Sequence, residues 1–188
     1  VSGNKAHTIE NTLPYNLKKS NQPDALNRPE PIHRLDHPTS GVLLIGKTRS
    51  ATIALNQLFE KRTIQKVYYA VTLGLMEDSG IIDFFIDNKP SKTFYSVIAT
   101  LPSERFDRLN LVECHPHTGR RHQIRKHFAS LGHAILGDQL YSQEGLLLKG
   151  KGLYLHASSL EFVHPATMEN IKIESPLPEK YKRIFVLT

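Results

Sequence analysis

Residues 33–41 read His-Arg-Leu-Asp-His-Pro-Thr-Ser-Gly. This stretch puts the carboxylate of Asp36 on a short loop, two residues after the guanidinium of Arg34 and just before a Pro-Thr-Ser-Gly turn. An aspartate in a turn usually has a structural role, because its side chain accepts hydrogen bonds from nearby backbone N–H groups. On its own, Asp36 therefore favours a structural interpretation. An Arg-rich turn and a tyrosine elsewhere in the chain change that interpretation.

The composition is that of a folded domain with an excess of positive charge. The 188 residues are enough for one domain, and 39% of them are hydrophobic. Lys and Arg number 24 against 18 Asp and Glu, a formal net charge of +6, which favours a polyanionic partner, nucleic acid first. No apolar run approaches the length that spans a membrane. The single cysteine, Cys114, excludes an intrachain disulfide and indicates a reducing compartment, the cytoplasm.

The N-terminal third predicts a covering segment, a strand and a helix. Residues 1–31 contain four prolines, which favour an irregular segment with one short helical turn. The continuous apolar run 42–45 predicts a strand buried on both faces. Apolar residues then recur at helical spacing over 51–59, with Ser50 available as the N-cap. We expect this helix to end near residues 61–62, where two cations suit the negative end of its dipole.

The clearest strand signal covers residues 65–74, where side chains alternate between two faces. One face is apolar and predicts core, whereas the other mixes an aromatic, a cation and small residues and suits the wall of a cleft. The first set is Val67, Tyr69, Val71 and Leu73, and the second is Lys66, Tyr68, Ala70 and Thr72. Tyrosine is common in strands for packing reasons, so by itself Tyr68 favours a half-buried sheet position.

A second strand, a turn and a helix follow between residues 109 and 132. Residues 109–114 predict the strand and residues 115–119 the turn. The apolar residues Ile124, Phe128 and Leu131 lie at helical spacing, and Gly132 is expected to end that helix. Arg125 falls on the flank of this stripe, where its stem can lie along the core while its charged head reaches a neighbouring loop.

The densest basic cluster of the chain surrounds the start of this helix. Its members are Arg120, Arg121, His122, Arg125, Lys126 and His127. A solvated helix face explains such a cluster, but positive charge beside a turn and a helix N-terminus is also suited to phosphate. The three cations other than Arg125 are therefore candidates for contact with a nucleic-acid backbone.

A zinc site is an alternative use of the histidines in this region. The potential ligands are Cys114, His115, His117, His122 and His127. Structural zinc sites usually take ligand pairs at set separations, and this group has one thiolate and no matching second pair. We therefore expect no metal.

Three segments together resemble the main motifs of the RluA-type pseudouridine synthases. The first is His33-Arg34-Leu35-Asp36 with Thr39-Ser40-Gly41, the second is Gln-Lys-Val-Tyr-Tyr-Ala over residues 65–70, and the third is Thr-Gly-Arg-Arg-His-Gln-Ile-Arg over residues 118–125. Two more family segments have counterparts, in the family's order, at Gly-His-Ala-Ile-Leu-Gly-Asp (132–138) and Leu-His-Ala (155–157). The resemblance runs from about Ile32 to the C-terminus.

The resemblance implies an enzyme that isomerises a flipped-out uridine in ribosomal or transfer RNA to pseudouridine, without a cofactor. It makes Asp36 the catalytic carboxylate, Tyr68 the active-site tyrosine and Arg125 the arginine that pairs with the carboxylate. Arg34 matches the arginine that occupies the space vacated by the flipped nucleotide. RNA is the expected partner, and we expect the protein to be a monomer. Arg120, Arg121 and Lys126 are expected to contact the RNA backbone.

The fold that the resemblance implies is of the α+β class. It consists of a mixed, largely antiparallel sheet with flanking helices and loops, and the active cleft runs across the sheet. We expect residues 1–188 to form a single catalytic domain with no separate RNA-binding module. Family members usually begin with a strand ending in Lys-Pro-x-Gly just ahead of where Val1 falls, so a truncated N-terminus without the first strand is expected. Two positions depart from the family pattern: Arg121 replaces a usual Thr or Ser, and Ala134 replaces a usual Pro.

The chemistry explains these residue types. Asp36 would act either as a nucleophile or as the base that removes a sugar proton to give a glycal, and the sequence leaves both routes open. A bidentate contact from Arg125 would keep this carboxylate ionised and oriented. Tyr68 would offer a flat face to the uracil. A non-catalytic RNA-binding protein on the same fold is the alternative, and it need not keep these three residues together.

Overall fold

A computed structural model describes residues 9–142, 146, 150 and 152–185. The chain divides into two compact units, one comprising Val1–Leu35, Leu43–Ile64 and Phe162–Ile171, and the other Asp36–Val42, Gln65–Glu161 and Lys172–Thr188. The elements are, in chain order, α1 (Ile9–Asn16), β1 (Ala25–Pro31), β2 (Ser40–Gly41), β3 (Ile45–Thr48), α2 (Arg49–Glu60), β4 (Gln65–Leu73), β5 (Ser79–Ile86), β6 (Lys89–Ser103), β7 (Asp107–Pro116), α3 (Gln123–Ser130), β8 (Leu155–Val163), β9 (Asn170–Glu174) and α4 (Glu179–Lys182).

The smaller unit is built on a two-stranded antiparallel sheet of β1 and β3. The predicted strand over residues 42–45 is wrong by three residues, because β3 starts only at Ile45 and is half-buried. Leu44 precedes it in irregular structure, where its N–H donates to Nε2 of His33 (3.1 Å) and its carbonyl accepts from Ile32. These bonds use its backbone groups outside a strand ladder. The single helical turn predicted near the N-terminus is the two-turn α1, and residues 1–8 lie outside the described residues.

Helix α2 has the predicted length but a different cap. Thr48 is the N-cap, and its hydroxyl accepts from the N–H of Ala51 (3.2 Å). The N–H of Ser50 is instead donated to the carboxylate of Asp24 (2.8 Å), so the prediction of Ser50 as the cap is wrong. The helix ends before Lys61, as its charge pattern predicts.

The sheet of the larger unit is mixed and largely antiparallel, which confirms the predicted α+β class. Its strand order is β2-β8-β4-β7-β6-β5, and β9 also pairs with β8. The pairs β4–β7, β4–β8, β5–β6 and β6–β7 are antiparallel, whereas the short β2 runs parallel to β8. The parallel pair joins Ser40 to His156 and Gly41 to Ala157. It brings the loop that begins at Asp36 to the sheet.

The predicted strand over 65–74 is confirmed as β4, but its two faces differ from the expectation. In its second half both faces are buried, since Ala70 and Thr72 are as inaccessible as Val71. The segment 134–136 covers this end of the strand. Leu136 donates its N–H to the Val71 carbonyl, and the carbonyl of Ala134 accepts the N–H of Leu73. In the first half, Val67 and Tyr69 are half-buried and line an open groove, and Tyr69 also packs against the core.

Helix α3 packs on β6 and β7 through its apolar residues. Phe128 is fully buried and meets the ring of Tyr95 edge-on at 5.5 Å. Leu131, which the stripe predicts to be buried, is 45% exposed because it follows the last helical turn. Gly132 then adopts φ +82°, and its N–H donates to the Ala129 carbonyl, so the predicted helix end is confirmed. The strand before the helix extends to Pro116, so the predicted turn over residues 115–119 starts two residues too early.

No helix among the described residues is both long and apolar enough to cross a membrane.

Buried His127 predicts an acid-sensitive fold. Its imidazole is fully inaccessible, and Nε2 lies 2.8 Å from the hydroxyl of Ser91, which donates to the Phe84 carbonyl. Burial lowers the pKa of His127 from 6.5 to about 4, while the charge of Asp83 opposes the shift. Between these values the unfolded chain binds a proton that the folded chain does not, so stability falls as the pH drops from 6.5 towards 4.

We predict that His127→Gln removes up to about 1.4 kcal/mol per pH unit from the pH dependence of the unfolding free energy over this window. Urea unfolding of both proteins between pH 4 and 7 measures the two slopes. The difference isolates His127 from the other histidines. Equal slopes would contradict the assignment.

Candidate active site

Asp36 lies at the start of the loop that leads into β2. The carbonyl of Asp36 accepts the N–H of Thr39 (2.8 Å), which closes a turn around the residue. Its side chain is 15% exposed, with Oδ2 3.5 Å from Nη1 of Arg125 and Oδ1 3.7 Å from Nε2 of His122. A nitrogen donor therefore approaches each carboxylate oxygen, while part of the group stays accessible.

Arg125 forms its bidentate pair with Asp138 and not with Asp36. Nε donates to Oδ2 (2.7 Å) and Nη2 to Oδ1 (2.8 Å), and both side chains are almost completely buried. Oδ1 of Asp138 also accepts the N–H groups of Leu140 (2.9 Å) and Tyr141 (3.2 Å). The expected bidentate contact with Asp36 is wrong, because the fork of the guanidinium is already used and only Nη1 is directed at Asp36.

Neighbouring carboxylates keep the guanidinium of Arg125 in its charged form. Burial by itself lowers the pKa of the guanidinium, but the hydrogen bonds and charge of Asp138, together with the charge of Asp36, outweigh it and raise that pKa. The guanidinium carbon also lies 5.1 Å from the ring centre of Tyr141. A permanently charged group thus lies between two carboxylates.

His122 provides the second contact to Asp36 from an unusual backbone position. Its φ of 55° and ψ of 29° are left-handed, just before α3, and its side chain does not cap that helix. Nδ1 instead lies 2.9 Å from the hydroxyl of Tyr141. An ionised Asp36 favours the tautomer with hydrogen on Nε2, so Tyr141 donates to Nδ1. Burial lowers the pKa of His122; the charge of Asp36 opposes this, and nearby cations reinforce it.

Tyr68, on β4, lies near enough to the same carboxylate for the charge of Asp36 to act on its phenol. It is half-buried, and its backbone lies where the register between β4 and β8 shifts. Burial, followed by the charge of Asp36, raises the pKa of Tyr68 to about 12. The phenol therefore stays protonated at neutral pH and can donate a hydrogen bond. Asp36, Tyr68 and Arg125 are thus brought together by three separate parts of the larger unit.

The other predicted site residues lie in different settings. Arg34 belongs to the smaller unit and is exposed. Of the basic cluster, Arg121 is exposed, Nε of Arg120 donates to the Pro90 carbonyl (3.2 Å), and Lys126 pairs with Asp87 (3.1 Å). These are surface contacts that compete weakly with a ligand.

The residues considered as zinc ligands do not converge. Cys114 is buried in the core, His127 bonds to Ser91, and His122 points to Tyr141 and Asp36. His115 lies on the strand surface, bonded to Glu113. Across residues 9–142 and the other described positions, no three His, Cys, Asp or Glu side chains are grouped so that they could hold a metal.

Sequence reasoning missed His122, Asp138 and Tyr141 as site residues. Asp138 was inside a motif segment, but only the burial of Arg125 shows that a carboxylate must accompany it. His122 was assigned to the basic cluster and to the zinc alternative. The position of His122, between Arg121 and the start of the helix, is the one signal that the sequence offers for it. The left-handed backbone that turns its ring towards Asp36 is visible only in the folded structure.

Comparison with known proteins identifies the family. The RNA pseudouridylate synthase family model matches residues 2–130. Ribosomal large subunit pseudouridine synthase C of Vibrio vulnificus is 35% identical over 82% of this chain and 54% of its own length. Dual-specificity RNA pseudouridine synthase RluA of Vibrio parahaemolyticus is 38% identical over 71% of this chain and 60% of its own. The chain therefore belongs to the RNA pseudouridylate synthase family.

Solved structures agree with this assignment. Human RNA pseudouridylate synthase domain containing 1 superimposes with a TM-score of 0.70 at 27% identity, over 79% of this chain and 69% of that one. Human RNA pseudouridylate synthase domain containing 4, at 24% identity and a TM-score of 0.66 over 82% and 73% of the two chains, shares the fold. The chain spans little more than half the length of the curated relatives it matches.

We predict that Asp138→Asn lowers the free energy of unfolding by about 3 kcal/mol, because it leaves the buried charge of Arg125 without its main counter-ion. Asp87→Asn, which removes the exposed partner of Lys126, is the matched control and should cost less than about 1 kcal/mol. Urea unfolding at pH 7 measures both. Similar losses in the two variants would show that the Arg125–Asp138 pair has no special structural weight.

Proposed function

We propose that this protein is an RNA pseudouridine synthase, which isomerises a flipped-out uridine in ribosomal or transfer RNA with Asp36 as the catalytic carboxylate. The observation that carries the proposal is the meeting of Asp36, Tyr68 and Arg125 in a chain of this family. A protein that only bound RNA would need the positive charge but would have no use for a half-buried carboxylate held between two nitrogen donors.

The reaction breaks the bond between N1 of uracil and C1′ of ribose, turns the base, and joins C5 to C1′. C5 then loses a proton and N1 gains one, so no outside reactant is consumed. Asp36 attacks C1′ in one route and removes a sugar proton in the other. Both routes need the ionised carboxylate, and the positive charge of Arg125 lies 3.5 Å from it.

The neighbouring groups have complementary roles in the proposal. Tyr68 offers its ring to the uracil and a protonated hydroxyl as a hydrogen-bond donor. Arg34, exposed on the segment before Asp36, would fill the gap left in the RNA by the flipped nucleotide. This filling offsets part of the cost of unstacking the base.

The class of RNA is inferred from the relatives. One similar protein is named for the large ribosomal subunit, which supports ribosomal RNA as the substrate, and another is named for dual specificity, which supports a second class of RNA. Transfer RNA is the second class that the family resemblance implies. The net charge of +6 supports a polyanionic partner. We further propose that the protein acts as a monomer in the cytoplasm, where its one cysteine, buried in the core, would remain reduced.

Asp36→Asn tests the catalytic assignment. We predict a loss of more than about a hundredfold in the rate of pseudouridine formation, because the amide keeps the shape but neither the charge nor the basicity. Folding and RNA affinity should stay close to wild type. Pseudouridine mapping of total RNA from cells lacking the gene, after incubation with each protein, measures the activity. Asp87→Asn serves as the control for losing an exposed carboxylate.

Two outcomes would contradict parts of the proposal. Activity in Asp36→Asn would remove this residue from the mechanism. RNA binding without any pseudouridine formation by the wild-type protein would favour the non-catalytic alternative.

The backbone contacts are tested by replacing Arg120, Arg121 and Lys126 with Gln. If all three contact phosphates, the log–log salt dependence of RNA affinity should lose about 0.7 per contact, about 2 in total. Turnover at saturating RNA should change much less, since such contacts bind ground and transition states alike. Filter binding at several salt concentrations measures the slope. The control replaces Lys172, Lys182 and Arg183, which removes the same charge from other exposed positions; equal slopes in both triple variants would reduce the effect to net charge.

A further inference from the structure

The loop that carries Asp36 is fastened to β8 by its last residues. Ser40 and Gly41 pair in parallel with His156 and Ala157, and the N–H of Val42 donates to the Ala157 carbonyl (2.9 Å). Gly41 has φ +117°, and a Cβ atom there would lie 2.0 Å from the Ala157 oxygen. Only glycine allows the loop to approach β8 this closely.

Two hydrogen bonds connect the same loop to buried His156 and, through its ring, to Ser175. The Ser40 hydroxyl lies 2.9 Å from Nδ1 of His156, and Nε2 of the same ring lies 3.1 Å from the Ser175 carbonyl oxygen. A carbonyl oxygen can only accept, so Nε2 carries the hydrogen and Nδ1 is the acceptor. Ser40 therefore donates to His156, which donates to Ser175. The ring is 2% exposed, and burial lowers its pKa, consistent with a neutral imidazole.

We propose that His156 is a positioning residue for Asp36, acting through Ser40. This inference rests on the proposed function of Asp36. The turn bond from Thr39 to the Asp36 carbonyl links the carboxylate-bearing residue to the residue next to Ser40. A displacement of this loop would change the 3.5 Å and 3.7 Å approaches of Arg125 and His122 to the carboxylate. A catalytic site tolerates only displacements well below 1 Å, so a small shift of the loop would matter.

The two hydrogen bonds of His156 can be separated by substitution. In His156→Asn, the amide oxygen takes the place of Nδ1 and can still accept from Ser40. In His156→Gln, the amide nitrogen reaches the place of Nε2 and can still donate to Ser175, but the acceptor for Ser40 is lost. Ser40→Ala removes the same bond from the other side. Ser158→Ala is the matched control, because its hydroxyl also donates to the Ser175 carbonyl (3.4 Å) without touching the loop.

Single-turnover kinetics, with the enzyme in saturating excess over the RNA, should separate these variants. We expect Ser40→Ala and His156→Gln each to lower the rate constant about five- to tenfold, the effect of one neutral hydrogen bond on the reacting geometry. The double variant that combines Ser40→Ala with His156→Gln should lose no more than His156→Gln alone. The enzyme concentration that gives half the maximal rate should change little. His156→Asn and Ser158→Ala should stay within about twofold of wild type. A purely structural role for His156 predicts instead that both His156 variants lose stability alike and keep the wild-type rate constant.

A measurement independent of catalysis completes the test. Amide hydrogen exchange at Thr39 and Val42 reports the turn at Asp36 and the bond to β8. We expect faster exchange at both amides in Ser40→Ala and His156→Gln, and wild-type exchange in His156→Asn. If the wild-type protein proves inactive on every RNA, the proposed function fails, and these exchange rates still decide whether His156 holds the loop. Unchanged exchange and an unchanged rate constant in His156→Gln would overturn the inference.

Discussion

The buried ion pair between Arg125 and Asp138 is the interaction on which the site depends. A guanidinium that is 3% exposed must have a counter-ion, because a buried, unpaired charge costs several kcal/mol. Asp138 supplies it with two short hydrogen bonds and is itself held by two backbone N–H groups. The orientation of the guanidinium is therefore set by the protein itself, and Nη1 points at Asp36.

This arrangement leaves Asp36 accessible beside a permanent positive charge. A bidentate contact would cover both of its oxygens, whereas the 3.5 Å approach of one nitrogen provides positive potential without closing the group. Two nearby side chains are neutral: Tyr68, because burial raises the pKa of its phenol, and His122, because burial lowers the pKa of its imidazole. Asp36 is thus an accessible carboxylate, whereas Asp138 is buried against Arg125.

The motif-like segments support one another in pairs. Arg125 and Asp138 join the segments 118–125 and 132–138, and Ser40 and His156 join the segments 33–41 and 155–157. The remaining segment, 65–70, contributes Tyr68 opposite Asp36. Ser40 and His156 are separated by 116 positions in the chain, so their hydrogen bond holds together segments that are distant in the sequence. Such contacts fix a loop more firmly than the loop's own backbone does.

From the sequence, the strand over residues 65–73 and the helix end at Gly132 could be predicted, because both depend on local spacing. The roles of Asp36, Tyr68 and Arg125 rest on a resemblance carried by contiguous residues and stay predictions. The sequence could not specify the pairings between separate segments. These are the parallel strand contact that brings Ser40 to His156, and the buried ion pair between Arg125 and Asp138. A guanidinium can pair with any carboxylate within reach, and which one is within reach is decided only when the sheet and α3 pack together.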